Sequence, residues 1–239
     1  MPARESITRT LTIAVAVALV CSALVSVAVY VLRPLQSAYT LIERNRAIVA
    51  AATGATTEPS EAAIVQAFLD LDVRIVNLAE GTSSLRDSGH AFDHWPLVDA
   101  GTPVQEVPVY LHRENGVTVR VVLPVHGRGM WSTIYGYVAL EADANTIAAV
   151  VFHRHGETPG IGDRIQDPAW LATWRGHRIY DAEGVARLRV AKGDEGSDPF
   201  RIDLISGASV TSEATGRLVS DRFTEYGPWL ERLREGAEQ

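Results

Sequence analysis

Two short runs of small residues carry hydroxyl groups that could accept a chemical group. The first, "SGAS", covers Ser206–Ser209 near the end of the chain, and the second, "TGATT", covers Thr53–Thr57. Gly207 permits a tight turn, and the following "TSEATGRLV" predicts a helix with Thr211 or Ser212 as its cap. Free N–H groups at the start of a helix favour a phosphate. The later run therefore suits a hydroxyl presented beside a phosphate, although such turns often only join a strand to a helix.

The histidines do not form a metal-binding motif. His90 and His94 are four apart in "HAFDH", a spacing that binds zinc when it lies on a helix. Gly89 and the surrounding loop composition disfavour a helix at this place. His153 and His155 form a second pair, but closed metal sites need three or four placed ligands. We therefore predict exposed histidines and no metal site.

The sequence contains no motif for several other functions, among them dinucleotide binding and nucleophilic catalysis. The segment "GIGDRI" at Gly160–Ile165 lacks the third glycine of a dinucleotide fingerprint, and the chain has neither a phosphate-binding lysine loop nor a nucleophile elbow. Direct NADH binding is therefore unsupported, and no catalytic residue can be named. Cys21 is the only cysteine, which excludes an intrachain disulfide and an iron–sulfur cluster held by this chain alone. The net charge of −7 argues against a nucleic-acid partner.

The segment Thr10–Leu32, "TLTIAVAVALVCSALVSVAVYVL", contains no charged residue. As a helix it would measure about 34 Å, which is enough to cross a hydrocarbon layer of about 30 Å. It is longer than the apolar region of a typical cleaved signal peptide. It therefore predicts an uncleaved membrane anchor over residues 10–32. Basic residues stand on both sides of it, so the charges do not fix its orientation.

The rest of the chain predicts one α+β domain. Residues 33–60 have the pattern of a helical linker, and Ser60 opens a second helix, "SEAAIVQAFLDL". Residues 80–102 are expected to form an irregular loop. Asp167 as cap and Pro168 as first residue predict a short helix, "DPAWLATWRG". Strands are predicted for "VRIVNL", "EVPVYLH", "VTVRVVLPV", "STIYGYVALE", "TIAAVVFHRH", "ARLRVAK" and "FRIDLIS".

The segment "DLISGASVTS" resembles the flavinylation motif Asp-x-x-Ser/Thr-Gly-Ala-Thr/Ser, in which FMN is joined to the last hydroxyl through a phosphoester. Four further segments resemble, in the same order, the C subunit of the sodium-translocating NADH:quinone oxidoreductase. They are "VCSALVSVAVYVLRPLQ", "GRGMWSTIYGYVALEADANTI", "HGETPGIGD" and "YGPWLERLR". The resemblance covers nearly the whole chain, so the sequence is identified as a member of this family. The shorter G subunit of Rnf complexes has a similar motif but different flanking sequence.

This resemblance implies a fold, a location and partners. It implies a cytoplasmic N-terminus over residues 1–9, a single span over 10–32 and a periplasmic FMN-binding α+β domain over 61–239, in a bacterial inner membrane. It implies covalent FMN, attached by an exported flavin transferase that takes FMN from FAD with magnesium. It also implies five other subunits, two of which carry the NADH, FAD and quinone chemistry. The chain would then pass single electrons from NADH towards ubiquinone, coupled to sodium export, without being catalytic alone.

The motif register places the acceptor at Ser209, where the family usually has threonine. Serine offers the same Oγ without the methyl group, so attachment stays chemically possible. Asp203 stands at the aspartate position of the motif. The corresponding position before the upstream run is Ala50, so we predict that the upstream run is not a flavinylation site. Thr211 is the fallback acceptor.

The resemblance also predicts which residues surround the flavin. Ser206, Gly207 and Thr211 are expected near the phosphate, and Asp203 and Ala208 are expected as further cofactor-binding positions of the motif. Glu157, Thr158 and Gly160 of the "HGETPGIG" loop are expected near the ring. Lys192 is either a phosphate neighbour or an ordinary surface lysine, and Trp131 is expected in the core rather than on the ring.

Two other functions remain open on sequence alone. One is a Rnf-type electron-transport flavoprotein subunit, which would differ in the subunits that co-purify with it. The other is a membrane-anchored adaptor domain without redox chemistry, in which "SGAS" is only a turn. An adaptor would carry no covalent flavin.

Overall fold

The computed structural model describes residues 7–54, 60–85, 89–193 and 198–236. The chain divides into two compact units, Met1–Glu43 and Arg44–Gln239. Helix α1 (Ile7–Thr53) supplies the described part of the first unit and the start of the second. Within it, Arg9–Leu32 is the one segment of the described residues that is long and apolar enough to cross a membrane. All its side chains are exposed, which is consistent with a membrane anchor.

Six antiparallel strands form the main sheet of the second unit. They are β1 (Asp72–Asn77), β2 (Thr82–Leu85), β3 (Glu106–Glu114), β4 (Val117–Arg128), β5 (Thr133–Glu141) and β6 (Ile147–Arg154). Their order across the sheet is β2-β1-β3-β4-β5-β6. Asn115 and Gly116 join β3 to β4 with φ of 51° and 82°, the left-handed pair that a two-residue hairpin turn requires.

Helix α5 (Ser209–Arg234) packs against one face of this sheet. Successive strand residues point to opposite faces, so alternate side chains of β4 meet the helix. The shared apolar cluster includes Val121, Leu123, Val125, Leu218, Val219, Phe223, Tyr226, Trp229 and Leu230. The Tyr226 hydroxyl also donates a hydrogen bond of 2.8 Å to the Pro124 carbonyl. Helix α5 is therefore fixed against the middle of the sheet by both apolar and polar contacts.

The segment between β6 and α5 adds to the same side of the sheet. It contains α4 (Pro168–Ala172) and a two-stranded parallel sheet of β7 (Arg189–Ala191) and β8 (Arg201–Asp203). The buried apolar residues of this segment belong to the apolar cluster of α5. This packing positions the turn from β8 into α5.

The opposite face of the sheet is covered by the last turns of α1, by α2 (Glu61–Leu69) and by α3 (Trp95–Asp99). A second apolar cluster lies there, which contains Ala47, Ile48, Ala51, Phe68, Trp95, Tyr110, Val122, Tyr135 and Tyr137. The Trp95 indole N–H donates to the Tyr137 hydroxyl at 3.2 Å. Both faces of the sheet are thus buried, which gives the unit three layers.

The structure confirms the α+β class and each of the seven predicted strands. The Ser60 and Asp167 caps are confirmed as well, since their side chains accept from the N–H groups of Ala63 at 3.3 Å and Ala169 at 2.9 Å. The prediction of an irregular loop over residues 80–102 was incomplete. This stretch contains β2, a 3₁₀ helix (Gly89–Ala91) and α3, which are too short to give a periodic sequence signal.

The prediction of exposed histidines was wrong for most of them. His94 is only 1% exposed, and its ring lies 3.9 Å from the Trp95 ring between their centroids. His153 stacks on Tyr137 with the ring centroids 5.3 Å apart. Both rings therefore pack against aromatic residues of the second apolar cluster instead of facing solvent. Among the described residues, no group of three or more histidine, cysteine or acidic side chains could hold a metal ion.

Candidate functional site

The turn from β8 into α5 presents the hydroxyl of Ser209. Strand β8 ends at Asp203, and Ser209 is the first residue of α5. Between them, Gly207 has a φ of +85°, a left-handed conformation that glycine adopts without steric cost. Ser206 and Ser209 are both exposed. The turn therefore places the predicted acceptor at the start of a long helix, open to solvent.

Helix α5 begins without a side-chain cap. Ala208 occupies the N-cap position and has no group that could bond to the first turn. The predicted caps, Thr211 and Ser212, were wrong because the helix begins before them. The Ser212 hydroxyl instead bonds back to the Ala208 carbonyl at 2.9 Å. Because a helix cannot pair its own first N–H groups, those of α5 are open to an external acceptor.

A buried carboxylate joins this turn to two other loops. Glu157 follows β6 and is only 4% exposed. Its Oε1 accepts from the N–H groups of Trp131 at 3.0 Å and Ser132 at 3.2 Å. Its Oε2 accepts from the Met130 N–H at 3.2 Å and from the Thr211 hydroxyl at 2.7 Å. One side chain therefore ties the β4–β5 loop and the loop after β6 to the first turn of α5.

Two opposing effects act on the pKa of Glu157. Burial alone would raise this pKa, because desolvation penalises the charged form. Four hydrogen bonds outweigh burial and hold the pKa below its usual value. Their donors are the Trp131 N–H, the Thr211 hydroxyl and the N–H groups of Ser132 and Met130. Glu157 is therefore an anion at neutral pH, and it accepts from four donors.

Two glycines leave the space that this carboxylate occupies. A Cβ at Gly129 would lie 2.5 Å from Glu157 Oε1. A Cβ at Gly162 would lie 2.9 Å from Glu157 Cβ and 3.2 Å from Thr211 Oγ1. The three loops can therefore approach one another only because both positions lack a side chain.

The loop after Glu157 is held by its own backbone. The Thr158 carbonyl accepts from the Gly162 N–H at 2.9 Å. Gly160 has a φ of +76°, and no atom lies within 4 Å of the position that its Cβ would take. Thr158 and Gly160 are both exposed. The loop is thus rigid and thin, with open space beside it.

Four exposed apolar side chains lie on the β4–β5 loop, on the loop after β6 and on the first turn of α5. They are Met130, Trp131, Ile161 and Val210. The prediction that Trp131 lies in the core was wrong, since its side chain is 67% exposed. Its backbone N–H is held inward by Glu157, which leaves the indole on the surface. An exposed tryptophan beside other apolar groups favours contact with a flat apolar ligand.

Asp203 and Lys192 both lie beside the turn. The Asp203 side chain is 76% exposed and lies 3.9 Å from the Arg201 guanidinium. Lys192 is exposed and follows Ala191, which pairs with Asp203 in the parallel sheet. The backbone of Asp203 is fixed as well, because its carbonyl accepts from the Trp170 indole N–H at 2.9 Å.

Arg164 also reaches the turn, although its sequence context did not indicate a site residue. It lies in a 3₁₀ helix (Gly162–Gln166), and its Nη1 donates to the Ser206 carbonyl at 2.9 Å. No motif connects "GIGDRI" with "SGAS", so only the tertiary structure brings the guanidinium to the turn. The interaction places a cation at Ser206, the first residue of the "SGAS" run.

The upstream run offers no comparable site in its described part. Thr53 ends α1, and its hydroxyl donates to the Val49 carbonyl at 2.8 Å. Residues 55–57, which complete the "TGATT" run, lie outside the described residues.

The residues of this site fit FMN. The uncapped start of α5 and the Arg164 guanidinium suit an anionic phosphate. The Ser209 hydroxyl lies at the same end of the helix. The exposed apolar side chains suit a planar ring, and Gly160 and Gly207 leave room next to it. The donors thus suit the phosphate of FMN, and the apolar surface with the free space beside it suits the flavin ring.

The fold and the site define an FMN-binding domain, and the FMN-binding domain family matches residues 129–222. Two relatives are C subunits of the Na⁺-translocating NADH-quinone reductase. The one from Pseudomonas aeruginosa is 33% identical and covers 99% of each chain. The one from Yersinia pestis is 32% identical over 98% of this chain and 95% of its own length. The chain therefore belongs to the family of C subunits of Na⁺-translocating NADH-quinone reductases, as its motifs indicated.

Two solved structures share the fold. The crystal structure of Shewanella oneidensis NqrC has a TM-score of 0.73 and 29% identity, and the match covers 83% of this chain and 99% of the other. The crystal structure of the C subunit from Parabacteroides distasonis has a TM-score of 0.69 and 24% identity, over 83% of this chain and 96% of the other. The three-layer domain is thus the fold of this family.

Proposed function

We propose that this chain carries FMN covalently on Ser209 and serves as an electron-carrier subunit of a sodium-translocating NADH:ubiquinone reductase. The observation that carries the proposal is the exposed Ser209 hydroxyl at the uncapped start of α5. The FMN-binding domain match and the relatives from Pseudomonas aeruginosa and Yersinia pestis support it. The same relatives favour this class over a Rnf-type subunit or an adaptor without redox chemistry.

Ser209 is the acceptor because the competing hydroxyl is already engaged. Thr211 is 3% exposed, and its hydroxyl donates to the Glu157 carboxylate at 2.7 Å. Reaction at Thr211 would require breaking a buried, charge-assisted hydrogen bond, which is stronger than a neutral one. Ser209 needs no such rearrangement, and it also holds the last position of the motif.

Attachment would proceed by transfer from FAD. The Ser209 Oγ attacks the phosphorus of the FMN half and loses its proton to solvent. One O–P bond forms, the P–O bond to the AMP half breaks, and AMP leaves. A flavin transferase with magnesium is the proposed catalyst. The chain contributes the hydroxyl, the open N–H groups of α5 and the rigid loops that hold the product.

FMN, once bound, supplies the capacity to take up and release single electrons. The residues of this chain fix its position and surroundings. Because the chain offers no dinucleotide fingerprint and no cluster ligands, it would stand between other carriers rather than at an end of the path. The proposed partners are the other five subunits of the complex. The proposed location is the periplasmic face of the inner membrane, with Arg9–Leu32 as the single span.

The attachment site can be tested by intact mass. The full chain is expressed with a flavin transferase, and its mass is measured after denaturation. An FMN adduct is expected in the wild type and in Ser209→Thr, and none is expected in Ser209→Ala. An adduct that persists in Ser209→Ala but vanishes in Thr211→Ala or Thr56→Ala would show that another hydroxyl is used.

A further inference from the structure

Arg164 is joined directly to the acceptor motif. Its Nη1 donates to the Ser206 carbonyl at 2.9 Å, three residues before Ser209. The 3₁₀ helix that carries it begins at Gly162, where the loop held by Glu157 ends. Its position is therefore set by the same elements that build the site. The side chain is exposed, so its remaining N–H groups can reach a ligand at the turn.

The charge of Arg164 has no acidic partner among the described residues. Other arginines of this region pair with carboxylates, as Arg189 does with Asp198 and Arg187 does with Asp181 at 2.7 Å. A guanidinium that is not paired with a carboxylate and lies next to uncapped helical N–H groups can bind an anionic group.

Lys192 is a weaker candidate than Arg164 for binding an anionic group at the turn. It follows Ala191, which pairs with Asp203, and a Cβ at the next residue, Gly193, would touch the Asp203 carboxylate. The Arg201 guanidinium lies near the same position, so this segment already has a carboxylate and a cation beside it. No hydrogen bond joins Lys192 to the turn among the described residues, whereas Arg164 makes one.

We propose that Arg164 binds the phosphate of FMN, both when FMN is transferred and after it is attached to Ser209. This inference rests on the proposed function. The planar guanidinium holds one donor on the Ser206 carbonyl and offers the others to phosphate oxygens, a geometry that lysine cannot reproduce. Together with the start of α5, it neutralises the phosphate and fixes its orientation. Arg164 is thus a positioning residue that completes the site.

The test follows attachment on the purified full-length chain. A flavin transferase, FAD and magnesium are added, and intact mass is recorded over time for the wild type, Arg164→Gln, Arg164→Lys and Lys192→Gln. Arg175→Gln, which removes an exposed arginine elsewhere, is the matched control. Attachment is expected to slow about tenfold in Arg164→Gln, as loss of a charge-assisted bond implies, and to recover in part in Arg164→Lys. The control should match the wild type.

A second readout separates phosphate binding from recognition by the transferase. After prolonged incubation to full attachment, the ³¹P resonance of the bound phosphate is compared between variants. A shift is expected in Arg164→Gln and none in Arg175→Gln. Equal rates and equal ³¹P resonances in Arg164→Gln and the wild type would overturn the role of Arg164, while leaving attachment at Ser209 intact. The role would also be overturned if Lys192→Gln, and not Arg164→Gln, slowed attachment and shifted the ³¹P resonance. No adduct on the wild type would overturn both this inference and the proposed function.

Discussion

The Thr211 hydroxyl donates a 2.7 Å hydrogen bond to the Glu157 carboxylate, although the two residues are far apart in the sequence. Both are buried, and the same carboxylate also accepts from three backbone N–H groups of the β4–β5 loop. This bond engages the hydroxyl of Thr211, the fallback acceptor, and leaves that of Ser209 exposed. It also makes the position of Ser209 depend on a residue outside the motif.

Replacing Glu157 with glutamine should destabilise the domain. The amide keeps the shape but removes the charge, and its NH₂ group meets N–H donors instead of accepting from them. We expect a loss of about 2–3 kcal/mol in the free energy of unfolding. Thr211→Val should cost about 1–2 kcal/mol, because only one donor is lost. Urea unfolding of the full chain in detergent measures both, with the exposed Glu231→Gln as control. Equal stability of Glu157→Gln and the control would contradict the proposed anchoring role.

Stability should fall in mild acid because of three histidines. Burial lowers the pKa of His94 to about 3. Burial also lowers the pKa values of His126 and His153 to about 4, with nearby arginines contributing. The unfolded chain therefore binds more protons between about pH 4 and about pH 6.5. The stabilisation is fully present above about pH 6.5 and is lost as the pH falls towards these folded pKa values.

Unfolding of the full chain between about pH 7.5 and about pH 5 measures this dependence. His94→Phe should show a shallower slope, since it removes the group with the lowest pKa. A wild-type stability that does not change over this range would show that these histidines are not held neutral in the folded chain.

Two glycines of helix α5 should respond differently to alanine. A Cβ at Gly216 would collide with the Val190 backbone nitrogen, whereas a Cβ at Gly227 would meet no atom within 4 Å apart from its chain neighbours. We expect Gly216→Ala to cost about 1–3 kcal/mol through overpacking against β7. Gly227→Ala should change the stability by less than about 1 kcal/mol, because the better helix propensity of alanine is opposed by Pro228, which disfavours a helical conformation for a preceding residue with a Cβ. Melting temperatures of the two variants give the comparison. A neutral Gly216→Ala would mean that α5 and β7 are not in close contact at this position.

The orientation of the anchor predicts where the C-terminus lies. If Arg9–Leu32 spans the membrane once with residues 1–9 in the cytoplasm, the domain is periplasmic. A C-terminal alkaline phosphatase fusion, which is active only after export, should then be active. A matched fusion to a reporter that works only in the cytoplasm should be silent. The reverse pattern would place the flavin domain in the cytoplasm, out of reach of an exported transferase.

The strands were predictable because runs of β-branched and aromatic residues mark a buried sheet whatever its partners are. The start of α5 was not, because the sequence favoured hydroxyl caps while the backbone turn at Gly207 starts the helix at Ser209. The "HGETPGIG" loop predicts Glu157 as a site residue. The sequence does not predict the buried hydrogen bonds of Glu157 to the β4–β5 loop, because they depend on tertiary contacts alone. Arg164 left no sequence signal for the same reason.

The proposed role of Ser209 is tested most directly in the proposed complete complex carrying Ser209→Ala in this chain, with Ser209→Thr as the matched control. Both preparations are assayed for NADH oxidation with an artificial acceptor, for quinone reduction and for sodium transport. Mass spectrometry first confirms which of them carry FMN on this chain. We expect Ser209→Ala to keep NADH oxidation and to lose quinone reduction and sodium transport together, while Ser209→Thr keeps all three. Normal sodium-coupled quinone reduction in a complex shown to lack this FMN would contradict the proposed role.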